Sequence, residues 1–246
     1  MKKLRRITEA EVIAEFLKGE FFHKEFDGYR EQFARLVEHP DLTQENENAL
    51  RKALFYRRRN TMWWELPEDR QWWEIEVEPG DVDRVSVFPR ARWLKLAKWN
   101  FKATHVAELV RRHMEQHGSD EFTCKMAGIC SGAEAGESRG LIIFLGLDER
   151  HPVTLLEGNH RFIASLLSPE RNLLAGARLV GVFSPSMEKC CWYKTSFYTL
   201  FRCLKNRIQH YWNRDPDVSS VLAQMARSQA APSYGENADP LKSKTI

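Results

Sequence analysis

Residues 154–167 read TLLEGNHRFIASLL, and this stretch limits the fold more than any other. The apolar pair Leu155-Leu156 runs into Glu157-Gly158. Asn159, His160 and Arg161 then open a segment in which Phe162, Ile163, Ala164, Leu166 and Leu167 recur at helical spacing. The pattern predicts a buried strand, a tight turn at Gly158 and a helix whose first turn is polar. The first N–H groups of a helix have no internal partner, and the helix dipole adds partial positive charge there. A strand–Gly–helix junction carrying an Arg therefore suits an oxyanion, phosphate above all. Glu157, at the strand end, would hold a metal or act as a base beside it. A plainer reading stays open: Glu157 caps the helix, Arg161 meets a surface carboxylate and His160 packs.

The rest of the chain limits the setting of that junction. Of 246 residues, 43% are hydrophobic and 29% charged, which describes an ordinary globular chain long enough for one large domain with helical additions. A formal charge of +3 is small for a dedicated DNA binder. The five cysteines (124, 130, 190, 191 and 203) are odd in number and lack C-x-x-C spacing. The opening MKKLRR runs into acidic and polar residues rather than an apolar core. Together these predict no leader and a reducing, cytoplasmic setting. No apolar run approaches the ~20 residues of a membrane span.

Residues 8–60 read as helices. Thr8 with Glu9 and Glu11 starts the first, residues 29–38 form the second, and residues 43–59 form a third ending in Arg57-Arg58-Arg59. From 71 to 87 the pattern changes: Trp73, Ile75 and Val77 alternate with Glu74, Glu76 and Glu78, as in a half-buried strand. After a Pro79-Gly80 turn, Val85, Val87 and Phe88 resume an extended pattern. In the loop PRARW, Arg90 and Arg92 either receive phosphates or are ordinary surface charges.

Thr104 is the expected N-cap of a helix over 105–117. Its His113 and His117, four apart, could share a metal, although HMEQH lacks the Glu of a zincin and no third ligand stands out. Residues 119–140 are expected to be a loop around a short strand at 122–126. The unbroken apolar run 141–145 predicts a strand covered on both faces, followed by strands at 153–156 and 178–183. Residues 190–214 read as a helix. Its apolar face comprises Trp192, Phe197, Leu200, Phe201, Leu204 and Ile208 and is expected to face the core, with Lys194, Arg202, Lys205 and Arg207 on the remainder; a nucleic-acid or partner surface stays open as the alternative. Beyond 227 the composition predicts a disordered tail.

The order of these pieces resembles the ParB N-terminal/sulfiredoxin-like superfamily. The resemblance rests on EIEVEPGDVDRVSVFPR, THVAELVRRHMEQHG, HPVTLLEGNHRFIASL and ARLVGVF, and it covers about half of the chain. It implies an α+β fold with a mixed-sheet core at 69–186. A helical region (1–68) precedes this core; a helical extension (187–226) and the tail (227–246) follow it. It also implies that Gly158, Asn159, His160 and Arg161 surround nucleotide phosphates, with Arg90 nearby, Thr104 at the next helix start, and Glu157 on the metal. Sulfiredoxins place a catalytic Cys directly after the turn glycine, and here Asn159 stands there. ParB partition proteins continue with Glu-Arg-Arg, and here the continuation is Asn-His-Arg. The acidic-Gly-x-His-Arg turn is most similar to that of the small-molecule kinases of the superfamily, such as the free-serine kinase. The expectation is a nucleotide-dependent phosphotransferase acting on a small hydroxyl-bearing substrate. It would use ATP or ADP (CTP less readily) and Mg²⁺, with Glu157 and His160 as catalytic residues. The alternative is a ParB-like nucleotide-gated nucleic-acid binder or a nuclease.

Overall fold

Leu141–Gly146 (β4) lies inside the sheet with every residue buried, as its unbroken apolar run requires. A computed structural model of the chain describes residues 1–89, 91–116, 118, 120–131, 140–171, 173–174, 176–212 and 216–230. Around β4 the other strands are Lys2–Ile7 (β1), Gln71–Glu76 (β2), Val85–Ser86 (β3), Val153–Glu157 (β5) and Arg178–Phe183 (β6). They form one six-stranded mixed sheet in the order β1-β2-β6-β4-β5-β3. β4 runs antiparallel to β5 and parallel to β6, and β5 runs parallel to β3. The protein is therefore a mixed α+β fold.

Side chains alternate across the sheet, and each face carries its own core. Leu141, Ile143 and Leu145 join Ile7, Trp72, Leu156, Val180 and Val182 on one face. That face is covered by Glu9–Glu20 (α1), Arg30–Glu38 (α2), Glu45–Trp63 (α3) and the late helix Val218–Ala230 (α9). Ile142 and Phe144 join Ile75, Val153, Leu155 and Phe183 on the other. There the cover is Ala91–Ala97 (α4), Ala103–Gln116 (α5), Glu121–Ser131 (α6) and Asn159–Leu167 (α7). Each fully buried Leu, Ile or Phe contributes on the order of 1.5–3 kcal/mol, so both helical layers are held chiefly by this burial. Thr8 starts α1 through a reciprocal cap: its Oγ1 accepts from the Glu11 amide at 3.2 Å while Glu11 accepts from the Thr8 amide at 2.8 Å.

Several expectations are corrected. The N-terminal region begins with a strand, β1, which pairs antiparallel with β2. α3 continues past Arg59 to Trp63. Residues 122–126 belong to a helix, α6, because the Asp120 carboxylate accepts from the Thr123 amide at 2.6 Å and caps it. The helix expected from 190 starts later, as Phe197–Trp212 (α8), after turns at 190–196. α9 continues through Ala230, past the point where the tail was expected to begin, and residues 231–246 lie outside the described residues. Among the described residues no helix is long and apolar enough to cross a membrane.

Candidate functional site

β5 and α7 meet at Gly158 as the sequence predicts. Gly158 takes φ +82°, the left-handed conformation that L side chains avoid. A Cβ there would also lie 2.7 Å from Cγ1 of Ile142 on the neighbouring strand. The turn is thus pressed onto the sheet, and α7 leaves it with no side-chain cap. The start of α7 carries the partly positive end of the helix dipole.

The first side chain of α7 faces inward. Asn159 is buried, and its Oδ1 accepts from the Phe88 amide at 2.9 Å, which ties the loop after β3 to the junction. His160 is half-buried, its ring 5.0 Å from Trp93 and 6.0 Å from Phe122. Its ring thus packs beside these two aromatic side chains.

Arg161 differs from both. Its half-buried guanidinium makes no hydrogen bond or ion pair with a described residue. Burial lowers its pKa, opposed by the charges of Glu157 and Glu20. The guanidinium presses against Gly140, where any Cβ would collide with its terminal nitrogens. Glycine at 140 is therefore what admits Arg161 to this position.

Glu157 already has partners. Its Oε2 lies 2.9 Å from both Nε and Nη2 of Arg59, and its Oε1 accepts from the Gly158 amide at 3.2 Å. Arg59 stands on α3, so the helical layer over one face of the sheet reaches the junction at the strand end. Arg58, beside it, pairs with Glu20 at 2.8 Å and Glu25 at 2.9 Å. Around the turn, the Arg59 and Arg161 guanidiniums and the helix N-terminus face the carboxylates of Glu157 and Glu20, and Glu20 is itself paired with Arg58. Arg161, which has no paired carboxylate among the described residues, is the group suited to an oxyanion.

No family model matches the chain, and neither does any curated protein or solved structure. The site is therefore read from its own geometry. Of the expected site residues, Glu157, Gly158, Asn159, His160 and Arg161 share one turn, with roles that differ as described. Arg90 lies outside the described residues. Thr104 is not a cap: α5 begins at Ala103, and Thr104 is its exposed second residue. The paired-histidine metal reading needs His117, so it falls outside the described residues. His113 Nε2 lies 2.8 Å from Asp120, the Thr123 amide and then His113 hold that carboxyl well below the usual range, and His117 is not among the described residues.

Sequence reasoning missed Arg59 and Gly140. Arg59 is 98 residues from Glu157, and nothing local in an Arg-Arg-Arg run on a helix says which member turns inward. Gly140 did carry a signal, as a glycine immediately before the apolar run of β4.

Proposed function

We propose that the Gly158 turn binds the phosphates of a nucleotide and that the protein is a nucleotide-dependent phosphotransferase acting on a small hydroxyl-bearing substrate. The observation that carries this reading is Arg161. It is a half-buried guanidinium without a hydrogen-bonding partner among the described residues, set beside the start of α7, which has no side-chain cap. Such a cation is costly to keep in place unless an anion meets it in the working state. The similarity of EGNHR to the turn of the superfamily's small-molecule kinases supports the same assignment.

Phosphoryl transfer chiefly requires aligned reactants and compensation of charge on the transferred group. In this reading Arg161 and the first N–H groups of α7 hold the phosphates. Arg59, now paired with Glu157, would meet the phosphates on leaving it, and the Glu157 carboxylate would then hold Mg²⁺ or take the hydroxyl proton. His160 orients the turn through Trp93 and Phe122, and Asn159 does so through the Phe88 amide.

A thermal-shift panel of ATP, ADP, CTP and GTP with Mg²⁺ tests this, because a ligand that binds only the folded state raises Tm by mass action. An adenine nucleotide should raise Tm, and Arg161→Ala should weaken its apparent affinity by about ten- to a hundredfold, as expected for losing a charge-assisted hydrogen bond. The γ-phosphate should then pass to a member of a panel of small alcohols. A response to CTP alone would favour the nucleotide-gated nucleic-acid reading. No response to any nucleotide, or an undiminished response in Arg161→Ala, would remove the proposal.

A further inference from the structure

The inward face of α8 is polar. Thr199 and Cys203 are buried, and Asn206 and His210 follow on the same stripe at spacings of four, three and four. His210 stacks on Trp64 with ring centroids 4.1 Å apart. Asn206 Nδ2 donates to Oε2 of Glu65 at 3.0 Å. Glu65 follows the end of α3 and is 1% exposed. Its other oxygen, Oε1, is buried with no hydrogen-bond partner, and no Lys, Arg or His of the described residues pairs with this carboxylate. A buried carboxylate oxygen left this way is costly. Beside it lie two thiols from two further segments: Cys191, in the turn between β6 and α8, and Cys203, on α8. One ligating atom from each of Glu65, Cys191 and Cys203 falls within 4.8 Å of the other two, and all three residues are buried. Without a cation, Glu65 Oε1 stays buried and unsatisfied beside the two thiols.

We propose that Glu65, Cys191 and Cys203 bind a thiophilic divalent cation, zinc foremost, which pins α8 and the turn before it to the end of α3. Two sulfurs and a carboxylate oxygen are ordinary zinc donors, and thiolates select zinc over magnesium or calcium. Three protein donors leave a fourth position for water. Binding replaces two S–H bonds with two metal–sulfur bonds and releases two protons to solvent, with no change of oxidation state. The cation satisfies Glu65 Oε1. It also fastens a helix whose own apolar side points away from the body.

The test uses the full chain purified with a phosphine reductant and no chelator. Elemental analysis should find about one zinc per chain, as a single site requires. Cys203→Ser and Glu65→Gln should each cut the content by at least about tenfold, while Cys124→Ser, on an exposed thiol, should leave it unchanged. Because a ligand variant can fail to fold, the wild type supplies the decisive readout. Cobalt(II) in place of zinc should give a thiolate-to-metal charge-transfer band, and chelation should lower Tm and expose α8 to protease. The proposal is overturned if the wild type takes up no zinc at micromolar supply, or if cobalt shows no such band. It is equally overturned if a Cys191–Cys203 disulfide accounts for both sulfurs in the reduced preparation, or if zinc persists in the Cys191→Ser/Cys203→Ser double variant.

Discussion

Phe162 in α7 is 1% exposed and Phe201 in α8 is 63% exposed, yet each belongs to an apolar stripe at helical spacing. In α7 the stripe lies on the sheet, with the Phe162 ring edge-on to Phe144 at 5.6 Å. In α8 the residues 197, 201, 204 and 208 form an equally regular stripe that points outward. What separates the two helices is how each is fastened. Gly158 sets the start of α7 against Ile142, so its apolar side has only the sheet to meet. α8 is held through polar groups instead, by Thr199, Cys203, Asn206 and His210. Hydrophobic periodicity identifies a face; the polar contacts of the opposite side decide which way it turns.

The largest expected effect lies on the inward stripe. Phe162→Ala should cost about 3–5 kcal/mol, because it removes a fully buried ring and leaves a cavity under α7. The shift in urea midpoint at unchanged slope measures it. A loss below about 1 kcal/mol would mean that the sheet collapses freely around α7, against the close packing expected of a core, and the contrast with α8 would lose its basis.

That contrast also explains what the sequence disclosed. β4 and the β5–Gly158–α7 junction were legible because burial on both faces leaves a continuous apolar run, and a left-handed turn leaves a glycine. β1 was not, because KKLRRI is an edge strand that looks polar. It is held by β2 and by cross-strand pairs such as Lys2–Glu76 at 3.4 Å and Arg5–Glu74 at 2.9 Å, and charged edges are how sheets avoid further pairing. α6 was hidden because its short sequence has only a weak apolar side, and its cap, Asp120, sits within a polar run. At the site, the turn itself was readable, whereas the Arg59–Glu157 pair and the Glu65–Cys191–Cys203 cluster join segments far apart in sequence. No spacing rule reaches such pairs. The orientation of α8 was misjudged for a related reason: the stripe was real, but the residues that fix its direction are scattered and polar.

A smaller effect is expected where α8 is fastened at its start. The buried Thr199 hydroxyl donates to the Lys194 carbonyl at 2.7 Å and accepts from the Ser196 amide at 2.9 Å, while Ser196 Oγ accepts from the Thr199 amide at 3.2 Å. Thr199→Val keeps the shape and removes the hydroxyl, leaving the Ser196 amide and the Lys194 carbonyl without it. The cost should be about 1–2 kcal/mol, read as a lowered Tm. A neutral result would show that α8 is held without its cap, and the fastening would then rest on Glu65 and the two cysteines.

The smallest effect should fall on the outward stripe, and there the comparison is most exposed to failure. Phe201→Ser replaces a large apolar side chain with a small polar one, a change that costs several kcal/mol in a core. Here the ring is already mostly in water. Its removal gives up little buried area, leaves no cavity, and adds no unsatisfied polar group. Stability should move by no more than about 0.5 kcal/mol, with serine's poorer helix propensity supplying most of that. A loss approaching that of Phe162→Ala, seen in dilute solution where chains do not meet, would show that the stripe is buried within a single chain. α8 would then be turned the other way, and the inward roles of Cys203, Asn206 and His210 would go with it.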